Sequence, residues 1–150
     1  MDYFAYGSNM DVERLRDRCP SAVVRGTGSL AGYRLVFNIC SSGWNCGAAN
    51  VVPDPSSVVW GVVASVSDED FRVLDRFEGH PDHYQRVSLP VMIGSAVSPM
   101  WTYVAPAEHA VVLPSAAYMA VLIAAAIRHQ CPAQYVTMLR AVPTRVAAGN

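Results

Sequence analysis

Ser67-Asp68-Glu69-Asp70-Phe71-Arg72-Val73-Leu74-Asp75-Arg76-Phe77-Glu78-Gly79 is the stretch that decides how the chain is read. Ser67 can accept hydrogen bonds from the first free N–H groups of a helix, and the three acids after it complement the positive end of the helix dipole. Phe71, Leu74, Asp75 and Glu78 recur at i, i+3, i+4 and i+7, so they share one helix face. Gly79 is a natural terminator and Pro81 prevents continuation. The spacing predicts one helix over 67–78, and it stands alone among strand-like segments.

Working outward from that helix, Val58 to Val66 before it and Tyr84 to Ile93 after it read as strands. Further strands are predicted at Asp2–Tyr6, Tyr33–Ile39, Asn50–Val52 and Met100–Val104. Pro53-Asp54-Pro55 is a turn signal between two of them. Ser41 to Gly47 is a polar loop. Asp11 opens a charged helical stretch through Arg18, stopped by Pro20. Pro114-Ser115 opens a helix through about Gln130, and Pro132 opens another through about Arg140. The first of these two is apolar nearly all round, which predicts burial on several sides. Strands mostly follow one another, and helices do not alternate with them. The order therefore excludes a doubly wound sheet and suits α+β, a largely antiparallel sheet or small barrel flanked by helices.

The 150 residues fit a single domain, 1–150, large enough to bury a core without staples. Hydrophobic residues make up 52% and charged residues 15%, so much of the chain must lie inside. A net charge of −1 with no run of like charge gives no electrostatic support for nucleic-acid binding and favours a small-molecule partner. The N-terminus has no basic region followed by an apolar stretch, and the longest apolar run, Ala116 to Ile127, is too short to span a bilayer. The expectation is a cytoplasmic chain with no membrane partner. Cys19, Cys40, Cys46 and Cys131 form no CxxC pair and fit no zinc spacing. A Cys40–Cys46 bridge is allowed by the spacing and not required.

Two short segments carry the chemistry. Tyr6-Gly7-Ser8-Asn9 follows the first strand, where Gly7 is read as allowing a sharp turn and the consecutive N–H groups as a nest for an anionic oxygen. The bland reading is an ordinary turn with Asn9 capping the next helix. Glu78 ends an apolar helix face, where burial and exposed carbonyls should both raise its pKa toward that of a general acid/base. The bland reading is a solvent-facing glutamate at a frayed end. His80 and His83 suggest a Ser8-His-Glu78 triad or a metal, but they lie beyond the Gly79-Pro81 break with no third ligand, so no metal is expected. His109 and His129 are read as surface residues. The seven tyrosines fall on strands or at helix ends, where buried phenols need partners and some line polar cavities.

From end to end the chain resembles the γ-glutamylcyclotransferase-like superfamily, especially its γ-glutamylamine cyclotransferase and AIG2-like branch. The carriers are Tyr3 to Met10 (YFAYGSNM), Gly32 to Asn38 (GYRLVFN), Ala49 to Pro53 (ANVVP), Trp60 to Val63, Leu74 to Arg86 (LDRFEGHPDHYQR), Leu113-Pro114-Ser115 with Tyr118, and Cys131-Pro132 with Tyr135. The resemblance implies a small mixed or antiparallel β-barrel flanked by helices, with a cavity where the Tyr6–Asn9 loop faces the acidic helix. It implies Glu78 as general acid/base, and Tyr6, Gly7, Ser8, Asn9 and Tyr84 as substrate-binding residues. The implied reaction releases 5-oxoproline and an amine from a γ-glutamyl compound, with no cofactor. The sequence departs from the family pattern at Ala64, where an aromatic is common, and at Ala126 and Gln130, where glycines are frequent. The leaving amine and the oligomeric state are left open, with glutathione not expected. A non-catalytic binding module on the same fold, a serine hydrolase using Ser8 and a purely structural partner protein stand as the alternatives.

Overall fold

The structure is a computed structural model that describes residues 1–41, 43–44 and 46–146, with Cys46 described by its backbone alone. Five strands form a closed barrel: β1 (Asp2–Ala5), β2 (Val23–Ser41), β3 (Cys46–Ser65), β4 (Gln85–Ile93) and β5 (Ala96–Val104), in the order β1-β3-β2-β4-β5. Every neighbouring pair is antiparallel except β1 with β5, which close the barrel in parallel through Tyr3↔Trp101. Among the described residues four helices flank it: α1 (Val12–Arg18), α2 (Asp68–Glu78), α3 (Ala116–Arg128) and α4 (Ala133–Arg140). Among the described residues no helix is long and apolar enough to cross a membrane.

Two strands are far longer than the sequence pattern indicates. The predicted strand Tyr33–Ile39 is the second half of β2, and its first half runs through the polar, glycine-containing stretch Arg25–Ser29. There is no turn chain-reversal at Pro53-Asp54-Pro55. Between the pairs Ala31↔Val58 and Tyr33↔Pro53 the β3 strand accommodates extra residues as a bulge. Asp54 stabilises the bulge by accepting from the Ser56 N–H at 3.1 Å and from the Ser56 and Ser57 hydroxyls. The turn chemistry is real, but it bends a ribbon and does not end a strand.

Fully buried Phe4, Leu30, Val59, Val62, Val91 and Met100 belong to one continuous core with Phe71 and Leu74 of α2. The cap of α2 is a reciprocal box, with the Ser67 side chain bonded to Asp70 N–H and Asp70 bonded back to Ser67 N–H. The helix stops at Gly79 in the left-handed conformation (φ 67°), where a Cβ would stand 2.7 Å from the His83 ring. Against expectation, α3 is not enveloped. It buries Tyr118, Met119, Leu122, Ala125 and Ala126 and exposes Ala116, Ala117, Ala120 and Ala124. Alanine counts as apolar in a periodicity, yet it costs little when exposed and is the strongest helix former.

The strap after β5 fastens the far end of the β2–β3 ribbon: Val112 N–H donates to Phe37 C=O at 2.9 Å and Gly47 N–H to Leu113 C=O at 3.1 Å. A side chain at position 47 would collide with the Val112 carbonyl, so glycine is needed for this close approach. Cys19 and Cys131 are buried thiols that burial pushes up to about 11. Cys40 is exposed and bonded to no cysteine among the described residues. The Cys46 side chain, and with it the allowed Cys40–Cys46 bridge, lies outside the described residues.

Candidate active site

A cleft of about 500 Å³ opens between the turn after β1, helix α1, the end of α2 and the tip of the β2–β3 ribbon. Tyr6, Gly7, Ser8, Asn9, Glu78 and Tyr84 all line it. Residues from positions 6–9 and 78–84 thus meet because β1 and the segment after α2 approach the same end of the barrel.

After β1 the chain enters one 3-10 turn, Ser8–Met10, in which Met10 N–H bonds to Gly7 C=O at 3.0 Å and Asp11 N–H to Ser8 C=O at 3.1 Å. N–H groups at the head of such a turn have no carbonyl ahead of them and can serve a ligand. Gly7 has φ −108°, so handedness does not require glycine here. The missing side chain instead lets the loop approach Tyr118, whose hydroxyl would lie 3.3 Å from a Cβ. Asn9 does not cap α1. Asp11 does, accepting from Glu13 and Arg14 N–H. Asn9 is buried, donates to the Tyr3 hydroxyl at 3.1 Å and accepts from Arg18 at 3.4 Å.

Glu78 is half-buried at the last position of α2. Its carboxylate makes no hydrogen bond or ion pair among the described residues. Burial raises its pKa from 4.5 to about 7, a shift that Arg18 and Arg14 restrain. The hydroxyls around it are also held neutral. Burial raises Tyr3, Tyr6 and Tyr84 well above the usual phenol range, and the Glu78 charge adds to it, directly after burial for Tyr3 and behind a neighbouring phenol for Tyr6 and Tyr84. Tyr84 donates to Ala49 C=O at 2.7 Å and Tyr6 donates to Tyr103 C=O. Both protons are therefore committed, while both oxygens keep room to accept.

Residues 3–120 match the sequence profile of the family described as Gamma-glutamyl cyclotransferase, AIG2-like. The chain belongs to this family. Named relatives are γ-glutamylcyclotransferase of Bos taurus, 38% identical over 81 residues, and of Homo sapiens, 37% identical over the same length. Each match covers 51% of this chain and 43% of the relative, so the chain matches less than half the length of either. A solved γ-glutamyl cyclotransferase superimposes with a TM-score of 0.92 at 26% identity, covering 100% of this chain and 92% of that one. A mouse AIG2-like protein shares the fold less closely, with a TM-score of 0.53 at 24% identity, covering 73% and 78%.

The fold of this family is what the chain's resemblance implies, a small barrel flanked by helices, and the parallel β1–β5 pair makes the barrel mixed. The resemblance also implies a cavity where the Tyr6–Asn9 loop faces the helix that carries Glu78, and both line the cleft. It did not place Arg14 and Arg18 there, although both line the cleft. Their i, i+4 spacing directly after the loop was the available signal. It was submerged in a stretch read as a charged, solvated helix. Trp44 and Tyr118 also line the cleft, with rings 5.2 Å apart. Among the histidines, His80 accepts from Arg86 N–H at 3.0 Å through Nδ1, and Ser8 bonds to neither His80 nor His83 among the described residues. His129 is half-buried at the end of α3 rather than on the open surface.

Proposed function

We propose that the chain is a γ-glutamyl cyclotransferase that converts a γ-glutamyl compound into 5-oxoproline and a free amine. The observation that carries this reading is Glu78: a half-buried carboxylate with no partner among the described residues, which burial raises to about 7, in one cleft with the head of the Tyr6–Asn9 turn. Family membership and the shape of the solved cyclotransferase support the same assignment.

In the reaction, the substrate's α-ammonium must first lose a proton, because an ammonium has no lone pair. Glu78 takes it. The α-nitrogen then attacks the γ-carbonyl carbon, and N–H groups at the head of the turn receive the oxyanion. One such donor is typically worth roughly 3–4 kcal/mol. A C–N bond forms, the original amide C–N bond breaks, and the departing nitrogen gains the two protons that the α-nitrogen gives up. No water or redox partner is required. Glu78 returns a proton to the leaving amine, and a pKa near neutrality suits both directions. Tyr6 and Tyr84 offer acceptor oxygens where the ammonium sits, which orients it toward the carbonyl. Because attack is intramolecular, correct folding of the substrate can contribute roughly 7–11 kcal/mol.

The test is release of 5-oxoproline, followed chromatographically, from a panel of γ-glutamyl amino acids and γ-glutamyl amines. The expected result is 5-oxoproline and amine in equal amounts from at least one member. Binding of panel members with no release from any would replace the enzyme by a binding module on the same fold.

A further inference from the structure

Asn9 lines the cleft, yet both ends of its buried side-chain amide are taken by the protein. Oδ1 accepts from Arg18 at 3.4 Å, and Nδ2 donates to the Tyr3 hydroxyl at 3.1 Å. An arginine can only donate, so the amide has one orientation, with its oxygen toward Arg18 and its nitrogen toward Tyr3. Arg18 is held in turn by the Phe77 ring, with its guanidinium 4.1 Å from the centroid.

This orientation decides what the Tyr3 hydroxyl can do. Tyr3, Tyr6 and Tyr84 all line the cleft with Glu78. Tyr84 gives its proton to Ala49 C=O, and Tyr6 gives its proton to Tyr103 C=O. Tyr3 instead accepts from Asn9, and no described residue takes its own proton. Its ring stands edge-on to both Phe71 and Tyr103, with centroids 6.0 Å apart in each pair. The oxygen is therefore fixed, and only the O–H bond can turn. Burial, and after it the Glu78 charge, keeps the proton on this phenol. Tyr6 and Tyr84 are thus acceptors toward a ligand, and Tyr3 is a donor.

The proposed reaction leaves one charged group of the substrate without a partner, the α-carboxylate. It shares a carbon with the nitrogen that Glu78 deprotonates, so it comes to rest near another carboxylate. It needs a donor and a positive charge there. The cations along the cleft, among the described residues, are Arg14, Arg18, Arg76 and His83. Arg76 and His83 are exposed, and Arg14 stacks on Trp44 of the ribbon tip, 4.8 Å from the ring centroid. Arg18 is the cation that Asn9 joins to a buried donor.

We infer that Tyr3 is a specificity-determining residue whose hydroxyl donates to the α-carboxylate of the γ-glutamyl group beside Arg18, and that Asn9 is not a substrate contact but the positioning residue that leaves the Tyr3 proton for that bond. This rests on the cyclotransferase reading for the place of the α-nitrogen.

The probes are 5-oxoproline and 2-pyrrolidinone, two lactams that differ only in that carboxylate, titrated by NMR. The wild type should prefer 5-oxoproline by about tenfold to a hundredfold, the range of hydrogen bonds to a charged group. Tyr3→Phe removes one oxygen and keeps the ring, and should cut the preference by about tenfold. Asn9→Ala should cut it by roughly threefold to tenfold, and by less in a Tyr3→Phe background, where the proton it positions is gone. A merely structural role for Asn9 would weaken both lactams alike and leave their ratio unchanged. A preference that survives Tyr3→Phe would overturn the inference, as would an equal effect of Asn9→Ala in both backgrounds. Tyr3→Phe decides alone if Asn9→Ala fails to fold. Release of 5-oxoproline from γ-glutamyl compounds is measured on the same wild-type protein. Release without a preference for 5-oxoproline would overturn this inference alone. Absence of release together with binding of neither lactam would sink the cyclotransferase reading and the inference with it.

Discussion

Asp75 and Glu78 stand three residues apart on one face of α2, and the protein treats them in opposite ways. Asp75 receives both arms of Arg86, at 3.1 and 3.3 Å, and the Tyr103 hydroxyl at 2.7 Å. Arg86 is itself sandwiched between the rings of Phe71 and Trp101, at 4.7 and 4.9 Å. Glu78, one turn further, has no such partner among the described residues and titrates near neutrality. Same side-chain chemistry and same helix face thus give a girder at one end and, in the proposed reaction, a proton carrier at the other. What separates them is the set of groups delivered by other strands: β4 and β5 bring Arg86 and Tyr103 to Asp75, while the cleft leaves Glu78 facing ligand space.

Exchanging the two roles by mutation is the way to break this comparison. Glu78→Gln keeps the shape and removes the proton carrier. It should lower kcat for 5-oxoproline release by about 10²–10⁴, the usual contribution of general acid–base catalysis. Asp75→Asn should instead damage the fold, since Arg86 would lose its counter-charge in a largely buried setting. A loss of about 1–3 kcal/mol, or a Tm lower by roughly 3–10 °C, is expected in thermal unfolding. A stable, inactive Asp75→Asn protein beside an unstable Glu78→Gln protein would reverse the assignment.

The pH dependence of stability sharpens it further. The folded pKa of Glu78 lies above its unfolded value, so its favourable contribution is fully present below about 4.5 and is lost as pH rises through about 7. Thermal scans should therefore show Glu78→Gln and the parent equal near pH 4.5, and the variant more stable above pH 7. The advantage should be on the order of 1–2 kcal/mol, less than the full shift implies because the cleft admits solvent.

A smaller effect is expected at the end of α3. There Gln130 adopts the same left-handed conformation (φ 58°) that Gly79 adopts after α2. Gln130→Gly should relieve that strain and stabilise the protein by roughly 0.5–1 kcal/mol with no change in turnover. Equal or lower stability on denaturant titration would mean that the side chain's local contacts outweigh the strain.

The sequence revealed what depends on neighbours along the chain. Ser67, the three acids and Gly79 predicted α2 to within one residue at its start and to the residue at its end, because caps and dipole act within a turn. The face shared by Phe71, Leu74 and Glu78 was legible for the same reason. The first half of β2 was not, since its polar and glycine residues carry no alternation and the strand exists through pairing with β3. Pro53-Asp54-Pro55 misled because turn chemistry looks the same in a reversal and in a bulge. The Arg14–Trp44 stack was invisible because it joins elements 30 residues apart in sequence. Asp75 was seen beside Glu78, but nothing local distinguishes a carboxylate that will meet Arg86 and Tyr103 from one that will meet a ligand.

The most direct measurement is an NMR titration of the glutamate side-chain carboxyl carbons, with Glu78→Gln identifying the Glu78 signal. The account predicts an inflection near pH 7 for Glu78 that is absent from the variant. An inflection near 4.5 would contradict it and leave the cleft without a neutral-pH proton carrier.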